Sequence, residues 1–309
     1  MPGIDAYTKL MLHCDGSDES TTIPDSSTEN PKGNATVVGT AQLDTAQKKF
    51  STASLLLDGN SDYIYFDDSA DWHFGTGNFT IDFWVRFNSV ASNQSFVSQK
   101  DADNLSDLYL YWYTSNNLYF AVYDSGSYVG RFSCSWTPVA DTWYHIAVVR
   151  SSTTCYIFIA GVSQSVSVLS AFGTLPDLSE PLVIGAAPAR YGGIFLNGWI
   201  DELRISKGIA RWTSNFTPPA DEYDINLDSS NFSAINTAES ISLLLPSLNI
   251  SISDSLSITE DISLLLPSSV NISDSLSITE DISLLLPSLN INISDSLSIT
   301  EDISLLLPS

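Results

Sequence analysis

Basic residues are scarce in this chain: 12 Lys and Arg stand against 36 Asp and Glu among 309 residues, and the formal net charge is −24. A phosphate backbone requires a cationic protein face, so this balance argues against nucleic acid binding and against binding to anionic membranes. Long apolar runs are also missing. No stretch approaches the roughly 18 apolar residues that a membrane helix needs, so we expect no membrane insertion.

The N-terminal segment MPGIDAYTKLML lacks the basic region and the small-residue cleavage site of a secretory signal, so we expect no secretion signal. Cysteine is rare as well. Cys14, Cys134 and Cys155 have neither metal-binding spacing nor the pattern of a disulfide framework, which favours buried thiols. One disulfide with one thiol left over is the alternative.

Aromatic residues lie almost entirely before residue 224, so core material is confined to that part of the chain. From residue 79 to 87, Phe and other apolar residues alternate with Thr80, Asp82, Trp84 and Arg86, which predicts a half-buried strand. Many short strands without a helical period predict an all-β fold of two stacked antiparallel sheets. Further strands are predicted at 108–113, 118–123, 142–150, 155–160, 182–185 and 198–206.

The segment NGWIDELRISKGIARWTSNFTPP at 197–219 predicts a strand that carries an acidic pair and runs into a closing turn with Arg and Trp. Together with the segments named below, in this order along residues 5–222, it resembles the laminin G-like (concanavalin A-like) jelly rolls of phage and environmental proteins. The resemblance implies a two-sheet antiparallel jelly-roll sandwich over 1–222. The other matching segments are 8–16, 25–27, 54–59, 62–64, 79–85 and 143–150.

After Arg211 no Lys or Arg follows for 98 residues, and the Pro-Pro-Ala-Asp-Glu-Tyr-Asp run from Pro218 marks a change of composition. We expect a linker at 223–240 and a repeat tail at 241–309. Ile-Ser-Leu-Leu-Leu-Pro begins at 241, 262, 282 and 303, and Asp-Ser-Leu-Ser-Ile-Thr-Glu-Asp begins at 254, 274 and 295.

Apolar residues of one repeat occupy alternate positions, which predicts strands. A unit of about 20 residues cannot bury its own apolar face, so it must stack on its neighbours or on copies in other chains. We therefore expect a β-rich stalk that mediates self-association. Two alternatives are a short helix over 258–266, since Ser257-Ile258-Thr259-Glu260 has capping-box spacing, and disorder.

Catalytic signals are weak. Concanavalin A-like sandwiches include glycoside hydrolases, whose signature is a Glu-x-Asp-x-(x)-Glu strand with two carboxylates across a cleft, and this pattern is missing. The isolated histidines, in apolar or aromatic surroundings, favour structural roles. We expect no enzyme. The residues considered are Glu19, Glu29, Glu180, Glu202, His13, His73 and His145.

Calcium follows from the resemblance, because this family often places the ion at the sheet edge between the first and last strands. The implied ligands are Asp15, Asp201 and Glu202, since hard cations take several oxygens. As an alternative, Asp201 and Glu202 pair with Arg204 or Arg211, or face solvent.

Sugar binding would use an exposed aromatic platform, because sugar rings present an apolar face bordered by hydroxyls. Tyr109, Tyr111 and Tyr113 share one strand face and could form this platform, with Tyr191 of the Tyr-Gly-Gly loop at its rim. Packing between the two sheets is the alternative for the same aromatics. The opposite strand face carries Leu108, Leu110 and Trp112.

These observations lead to the hypothesis of a non-enzymatic protein that binds a glycan or cell-surface polysaccharide and assembles through its tail. A phage tail fibre or virion decoration fits it, because virion proteins reach the outside by lysis and need no secretion signal; the location is then a virion or an extracellular surface. One alternative is a structural filament or decoration subunit, whose tail would polymerise without the head. Another is a glycan-processing enzyme, which would release product from a polysaccharide.

Overall fold

Clusters of turn residues separate the alternating segments, so the strands of the chain are short. The computed structural model describes residues 3–102, 105–187 and 193–223, together with the backbone of strands between 241 and 306. The chain divides into two compact units, Met1–Ile225 and Asn226–Ser309, here called the head and the tail. Within the described residues the secondary structure is β, and we find no helix there long and apolar enough to cross a membrane.

Two antiparallel sheets of eight strands form the head. In sheet I the strand order is β13-β12-β11-β6-β18-β4-β3, and β1 pairs with β18. Its strands are β1 (Thr8–Leu12), β3 (Gln42–Asp44), β4 (Ser54–Asp58), β6 (Phe79–Phe87), β11 (Trp143–Ser151), β12 (Thr154–Ile159), β13 (Val162–Ser163) and β18 (Asn197–Lys207).

Sheet II has the order β14-β10-β9-β8-β7-β15-β5-β2, and a separate pair joins β16 (Ala186–Ala187) to β17 (Ile194–Phe195). The strands of sheet II are β2 (Thr36–Val38), β5 (Tyr63–Phe66), β7 (Gln94–Lys100), β8 (Asp107–Tyr113), β9 (Asn117–Asp124), β10 (Ser127–Ser135), β14 (Ser167–Ser170) and β15 (Leu182–Ile184). The predicted two-sheet antiparallel jelly-roll class is confirmed, and six predicted strands match β8, β9, β11, β12, β15 and β18.

Between the sheets lies one apolar core rich in Phe, Leu and Ile. β6 contributes Phe79, Phe83 and Phe87, and sheet II contributes Phe96 and Phe120, all fully buried. Ring contacts cross the interface, for example Phe83 to Phe96 at 5.2 Å between centroids. Burial of this aromatic surface is the main stabilising term of the head. The cysteines Cys14, Cys134 and Cys155 are free and buried, as predicted.

The outer face of β6 is buried as well, so the expectation of a half-buried strand is wrong. Thr80 and Asp82 are fully buried and Trp84 is 8% exposed. Two coverings explain the burial: the exit segment, residues 208–223, and the loop that carries Lys49 and Phe50. Trp212 and Phe216 of the exit segment pack on His145 of β11, and the Lys49 ammonium lies 4.2 Å from the Trp84 ring. Periodicity alone does not reveal such a covering segment.

The end of the head is held by Tyr223, which we expected at the start of the linker. This residue is 4% exposed and packs with Ile4 and Met11. Its hydroxyl donates to Asp82 Oδ2 at 2.5 Å, and its backbone N–H donates to Glu202 Oε2 at 2.7 Å. Tyr223 therefore belongs to the packed head.

Strands of the tail pair in parallel, each with the corresponding strand of the next repeat, so that Ile241 aligns with Ile262 and Leu256 with Leu276. Each repeat thus contributes to three sheets. Of the segment 258–266, which we considered as a short helix, the described residues lie in strands β21 and β22, and 259–261 and 266 lie outside the described residues. The strands are β19 (Ile241–Leu244), β20 (Asn249–Ile252), β21 (Leu256–Ile258), β22 (Ile262–Leu265), β23 (Ser269–Ile272), β24 (Ser275–Ile278), β25 (Ile282–Leu285), β26 (Ile291–Ile293), β27 (Ser296–Ile299) and β28 (Ile303–Leu306).

The contact of the exit segment with the β12–β13 turn can be tested at Gly161. A Cβ on Gly161, where φ is +76°, would lie 2.0 Å from the Phe216 carbonyl oxygen. Gly126 has nearly the same φ, +80°, with nothing within 4 Å, and serves as the control. We expect Gly126→Ala to lower the free energy of unfolding by about 1–2 kcal/mol from backbone strain alone. Gly161→Ala should cost at least about 1 kcal/mol more, measured by chemical denaturation, because Phe216 must move. Equal losses would contradict the assigned contact.

Candidate functional site

One surface of the head concentrates tyrosine: the outer face of sheet II, where β5, β8, β9 and β10 each alternate between core and surface. Eight of the 13 tyrosines of the chain lie on this side, which we call the tyrosine face. On β8, Leu108, Leu110 and Trp112 point into the core, so the intervening tyrosines point outward. The members of the tyrosine face are Tyr63, Tyr65, Tyr109, Tyr111, Tyr113, Tyr119, Tyr123 and Tyr128.

Ring contacts fill the middle of the tyrosine face. Tyr111 and Tyr119 are cross-strand partners and stack at 5.2 Å with an interplanar angle of 12°. Tyr113 meets both edge-on, at 4.9 and 5.8 Å. The guanidinium of Arg131 lies 4.6 Å from the Tyr128 ring, a distance at which a cation is attracted to the ring face. This part is a packed aromatic cluster, and burial raises the pKa of Tyr111 above its usual value.

The short β16–β17 pair lies against the tyrosine face and divides it. Ala187 and Ile194 pack on Tyr109 and Tyr111, and the Ser98 hydroxyl donates to the Ala186 carbonyl at 2.7 Å. On one side lies a hollow of about 20 Å³ between the packed tyrosines. On the other side, between β5 and β8, lies a hollow of about 220 Å³, here called the larger hollow. Tyr63, Tyr65, Tyr109, Gln99, Lys100 and Glu180 are among the residues that line it.

Of the predicted sugar-binding residues, Tyr109, Tyr111 and Tyr113 share the outward face, as the alternation indicates. Tyr109 and Tyr111 are only 6% and 9% exposed, so packing takes up most of their surface. That packing occurs outside sheet II and not between the two sheets, contrary to our alternative. Tyr191 lies outside the described residues. We did not expect Tyr63 and Tyr65 in the platform, although the alternation Tyr63-Ile64-Tyr65-Phe66 carries the same signal.

The acidic pair on β18 is buried, with Asp201 and Glu202 each 1% exposed. A bulge interrupts the pairing of β18 with β6 at this point, and Glu202 has a φ of +50°. Asp201 Oδ2 accepts the backbone N–H groups of Lys49 and Phe50 at 2.8 and 3.2 Å. Glu202 Oε1 lies 2.5 Å from His13 Nδ1. The alternative roles that we gave the acids, pairing with arginine or facing solvent, are therefore wrong.

Both arginines have other partners. Arg204 binds Asp82 through Nε and Nη2 at 3.1 and 3.2 Å, with both side chains fully buried. Burial by itself raises the pKa of Asp82, but the charge of Arg204 outweighs it, and the pKa is lowered to about 2. Arg211 binds Asp5, at 2.7 and 3.0 Å. Arg211 Nε also donates to Ser206 Oγ of β18 at 2.7 Å and so fixes the exit segment to sheet I, whereas the Asp82–Arg204 pair lies within sheet I.

The three carboxylates that the resemblance implied for calcium are not assembled as ligands. In the described part of the chain, one group of metal-ligating side chains has its ligand atoms within 4.8 Å of one another, and it comprises His13, Glu202 and Glu222. Asp201 instead turns toward backbone N–H groups, and Asp15 Oδ1 accepts from Thr52. Calcium takes six to eight oxygens, and an imidazole nitrogen in the group does not suit it. The residues present therefore do not fit a calcium ion.

Comparison with known proteins agrees with this architecture. Residues 58–211 match the family model described as the concanavalin A-like lectin/glucanases superfamily, whereas none of the curated proteins matches the sequence. Domain 4 of AbnA, a GH43 extracellular arabinanase from Geobacillus stearothermophilus solved in complex with arabinotriose, is similar at 18% identity and a TM-score of 0.50, covering 66% of this chain and 93% of that chain. The botulinum neurotoxin serotype C1 binding domain is similar at 16% identity and a TM-score of 0.48, covering 75% and 52%. The first likeness shows the fold alone, and the second is too distant to carry an argument.

Asp201 gives a test of the buried acidic pair. Burial raises its pKa to about 8, above the ordinary aspartate value, so the folded state holds the proton more tightly than the unfolded chain does. Its contribution to stability is therefore complete at low pH, below about 4, and is lost as the pH rises toward 8. We expect Asp201→Asn, which keeps an acceptor for Lys49 and Phe50 but cannot ionise, to be more stable than the parent at pH 8.

The expected gain at pH 8 is at least about 1.4 kcal/mol, the equivalent of one pKa unit. Urea unfolding at pH 5, 6.5 and 8 measures it. The control Glu29→Gln removes one exposed negative charge. If Asp201→Asn lost stability between pH 5 and 8 as steeply as the parent, the buried ionisation would be refuted.

Proposed function

Because residues 58–211 belong to the concanavalin A-like lectin/glucanase superfamily, we propose that the protein binds a glycan, without cleaving it, on the tyrosine face. The observation that carries the proposal is the gathering of eight tyrosines on the outer face of one sheet beside a hollow of about 220 Å³. Small-molecule sites are concave, largely apolar and supplied with a few fixed polar groups, and the larger hollow has this composition.

Tyrosine suits this task because it combines a flat apolar ring with a hydroxyl that donates and accepts hydrogen bonds. A sugar ring is amphipathic in the same way, with C–H groups on its faces and hydroxyls at its edge. Six of the eight tyrosines keep intermediate exposure, the exceptions being Tyr109 and Tyr111. Ring contacts hold four of these six in place while they still meet solvent: Tyr113, Tyr119, Tyr123 and Tyr128.

Absence of cleavage is supported by the distribution of carboxylates. Glycoside hydrolysis requires two carboxyl groups that face each other across the bond, about 5–10 Å apart. Glu180 is the one acid among the described residues that line the larger hollow, and none lines the smaller one. Asp82, Asp201 and Glu202 are buried at sheet I and committed to hydrogen bonds. In support of glycan binding, the arabinanase domain that shares the fold was solved with arabinotriose.

The tail forms the second part of the proposal: it joins several heads into one assembly on a virion or extracellular surface. Its strands pair in register from one repeat to the next, and each pairing continues through backbone hydrogen bonds. Units of this kind stack on further units, in the same chain or in another copy. Several heads on one assembly gain effective concentration at a surface of repeated glycans.

A combined variant tests glycan binding. We expect Tyr65→Ala with Tyr123→Ala to lower the affinity of the full chain for its glycan at least tenfold, equivalent to about 1.4 kcal/mol. The glycan is taken from an array screen and the affinity from calorimetry, with and without EDTA, which should make no difference. Tyr7→Ala, which removes a 48% exposed tyrosine beside β1, should leave the affinity unchanged. Failure of the wild-type chain to bind any glycan on the array would refute the proposal.

The oligomeric state of the chain with and without the tail tests the role of the tail. The head has its own core and ends as a compact unit at Ile225, so residues 1–225 can be compared with the full chain. We expect light scattering after size exclusion to show a monomer for 1–225 and a multimer for the full chain at micromolar concentration. Cutting after Ile225 retains Tyr223, whose removal would expose the Asp82–Arg204 pair. A monomeric full chain would contradict assembly through the tail.

A further inference from the structure

We infer that the larger hollow is the primary subsite of the tyrosine face and that it takes one or two rings of an uncharged glycan. This inference rests on the proposed function and specifies where on the face the ligand sits and to which chemical class it belongs. Tyr65, Val183, Ser98 and Tyr109 are cross-strand neighbours in a single row of sheet II. Two small side chains therefore separate two tyrosines.

The row explains why a hollow exists at this place. Neighbouring strands lie about 4.8 Å apart, so Tyr65 and Tyr109 stand roughly 14 Å apart across three spacings. Val183 lies low between them, and Ser98 lies beneath Ala186 of β16, with 4% of its surface exposed. In the row that contains Tyr111 and Tyr119, by contrast, two tyrosines are direct neighbours and stack on each other, which leaves about 20 Å³. Ring-sized space is thus found beside Tyr65 and not beside Tyr123.

Size also limits the ligand. Pockets for drug-sized molecules measure about 300–1,000 Å³, and the larger hollow has about 220 Å³. One or two sugar rings fit this space, and a longer chain would have to continue along the open surface.

The polar groups at the larger hollow are held before any ligand arrives. Gln99 is 4% exposed, and its Nε2 donates to Asp68 Oδ1 and to the carbonyl oxygens of Leu178 and Glu180, at 3.0–3.2 Å. The Ser98 hydroxyl is fixed on Ala186. Both residues are 4% exposed and donate their hydrogens within the protein, so they fix the shape of the hollow and do not offer donors to a ligand.

Charge decides between ligand classes. Lys100 and Glu180, one cation and one anion, line the larger hollow, so it offers no excess of positive charge. The chain as a whole carries −24, and its field repels polyanions over distances of about a Debye length, roughly 10 Å at 0.1 M salt. A uronate or sialylated glycan would meet both obstacles, whereas an uncharged glycan meets neither.

Calorimetry on the full chain tests the inference with arabino-, xylo-, cello- and malto-oligosaccharides of two to four rings, and with oligogalacturonate and sialyllactose as charged probes. We expect at least one uncharged probe to bind, with less than a twofold change in affinity between 50 and 500 mM NaCl. Tyr65→Ala should weaken that binding at least tenfold and at least fivefold more than Tyr123→Ala does. Tyr65→Phe, which keeps the ring, should restore most of the affinity and so separates lost stacking from misfolding.

The outcomes distinguish the inference from the proposed function. Tighter binding of a charged probe, or a larger loss from Tyr123→Ala than from Tyr65→Ala, would overturn the subsite while leaving glycan binding intact. No binding of any probe to the wild-type chain, here and on the array, would overturn both. The melting temperature of each variant, followed by circular dichroism, is the control for folding, because a variant that melts at the same temperature as the parent has kept its fold.

Discussion

The Asp82–Arg204 ion pair is the interaction on which the arrangement of the head depends. It joins β6 to β18 at the centre of sheet I, with both side chains fully buried. A buried charge needs partners on every side, and here they come from both ends of the head: Arg204 Nη1 donates to the Gly3 carbonyl, and the Tyr223 hydroxyl donates to Asp82. Removing one partner would leave an uncompensated buried charge, a loss of about 3–5 kcal/mol in comparable pairs. The pair thereby fastens both ends of the head over sheet I.

This covering determines which side of the sandwich is open to ligands. Sheet I has its inner face in the core and its outer face under the exit segment and the Lys49–Phe50 loop. Sheet II has its inner face in the same core, but its outer face carries tyrosines of intermediate exposure and the small β16–β17 pair. Residues buried on both sides serve stability, whereas side chains that combine apolar and polar character suit a surface that exchanges water for ligand.

The alternation of apolar and polar residues within single strands was sufficient to predict several strands of the head and the outward direction of the tyrosines on β8. The pattern from Leu108 to Tyr113 predicted strand β8, its inward residues and its outward tyrosines, because a period of two depends on local geometry alone. The partners of Asp201 and Glu202 could not be found in this way. Glu202 binds His13, 189 positions away, after a bulge that no local pattern announces. Calcium was inferred from resemblance, which transfers a position but not the orientation of each carboxylate. The larger hollow depends on which strands are neighbours, and so it appears only when β5, β15, β7 and β8 are placed side by side.

The small volume of the larger hollow bears on the number of heads that the proposed function needs. A hollow of about 220 Å³ admits few ligand atoms, and the best small ligands gain at most about 1.5 kcal/mol per non-hydrogen atom, far less when the ligand is polar and flexible. A single head of the proposed kind therefore binds weakly. Repeats that align Ile241 with Ile262 and Ile282 with Ile303 supply a structure that extends by stacking identical units. In the proposed function, joining several weak heads would raise the local concentration of sites at a glycan surface, and this is why we propose that the repeat tail and the larger hollow act together.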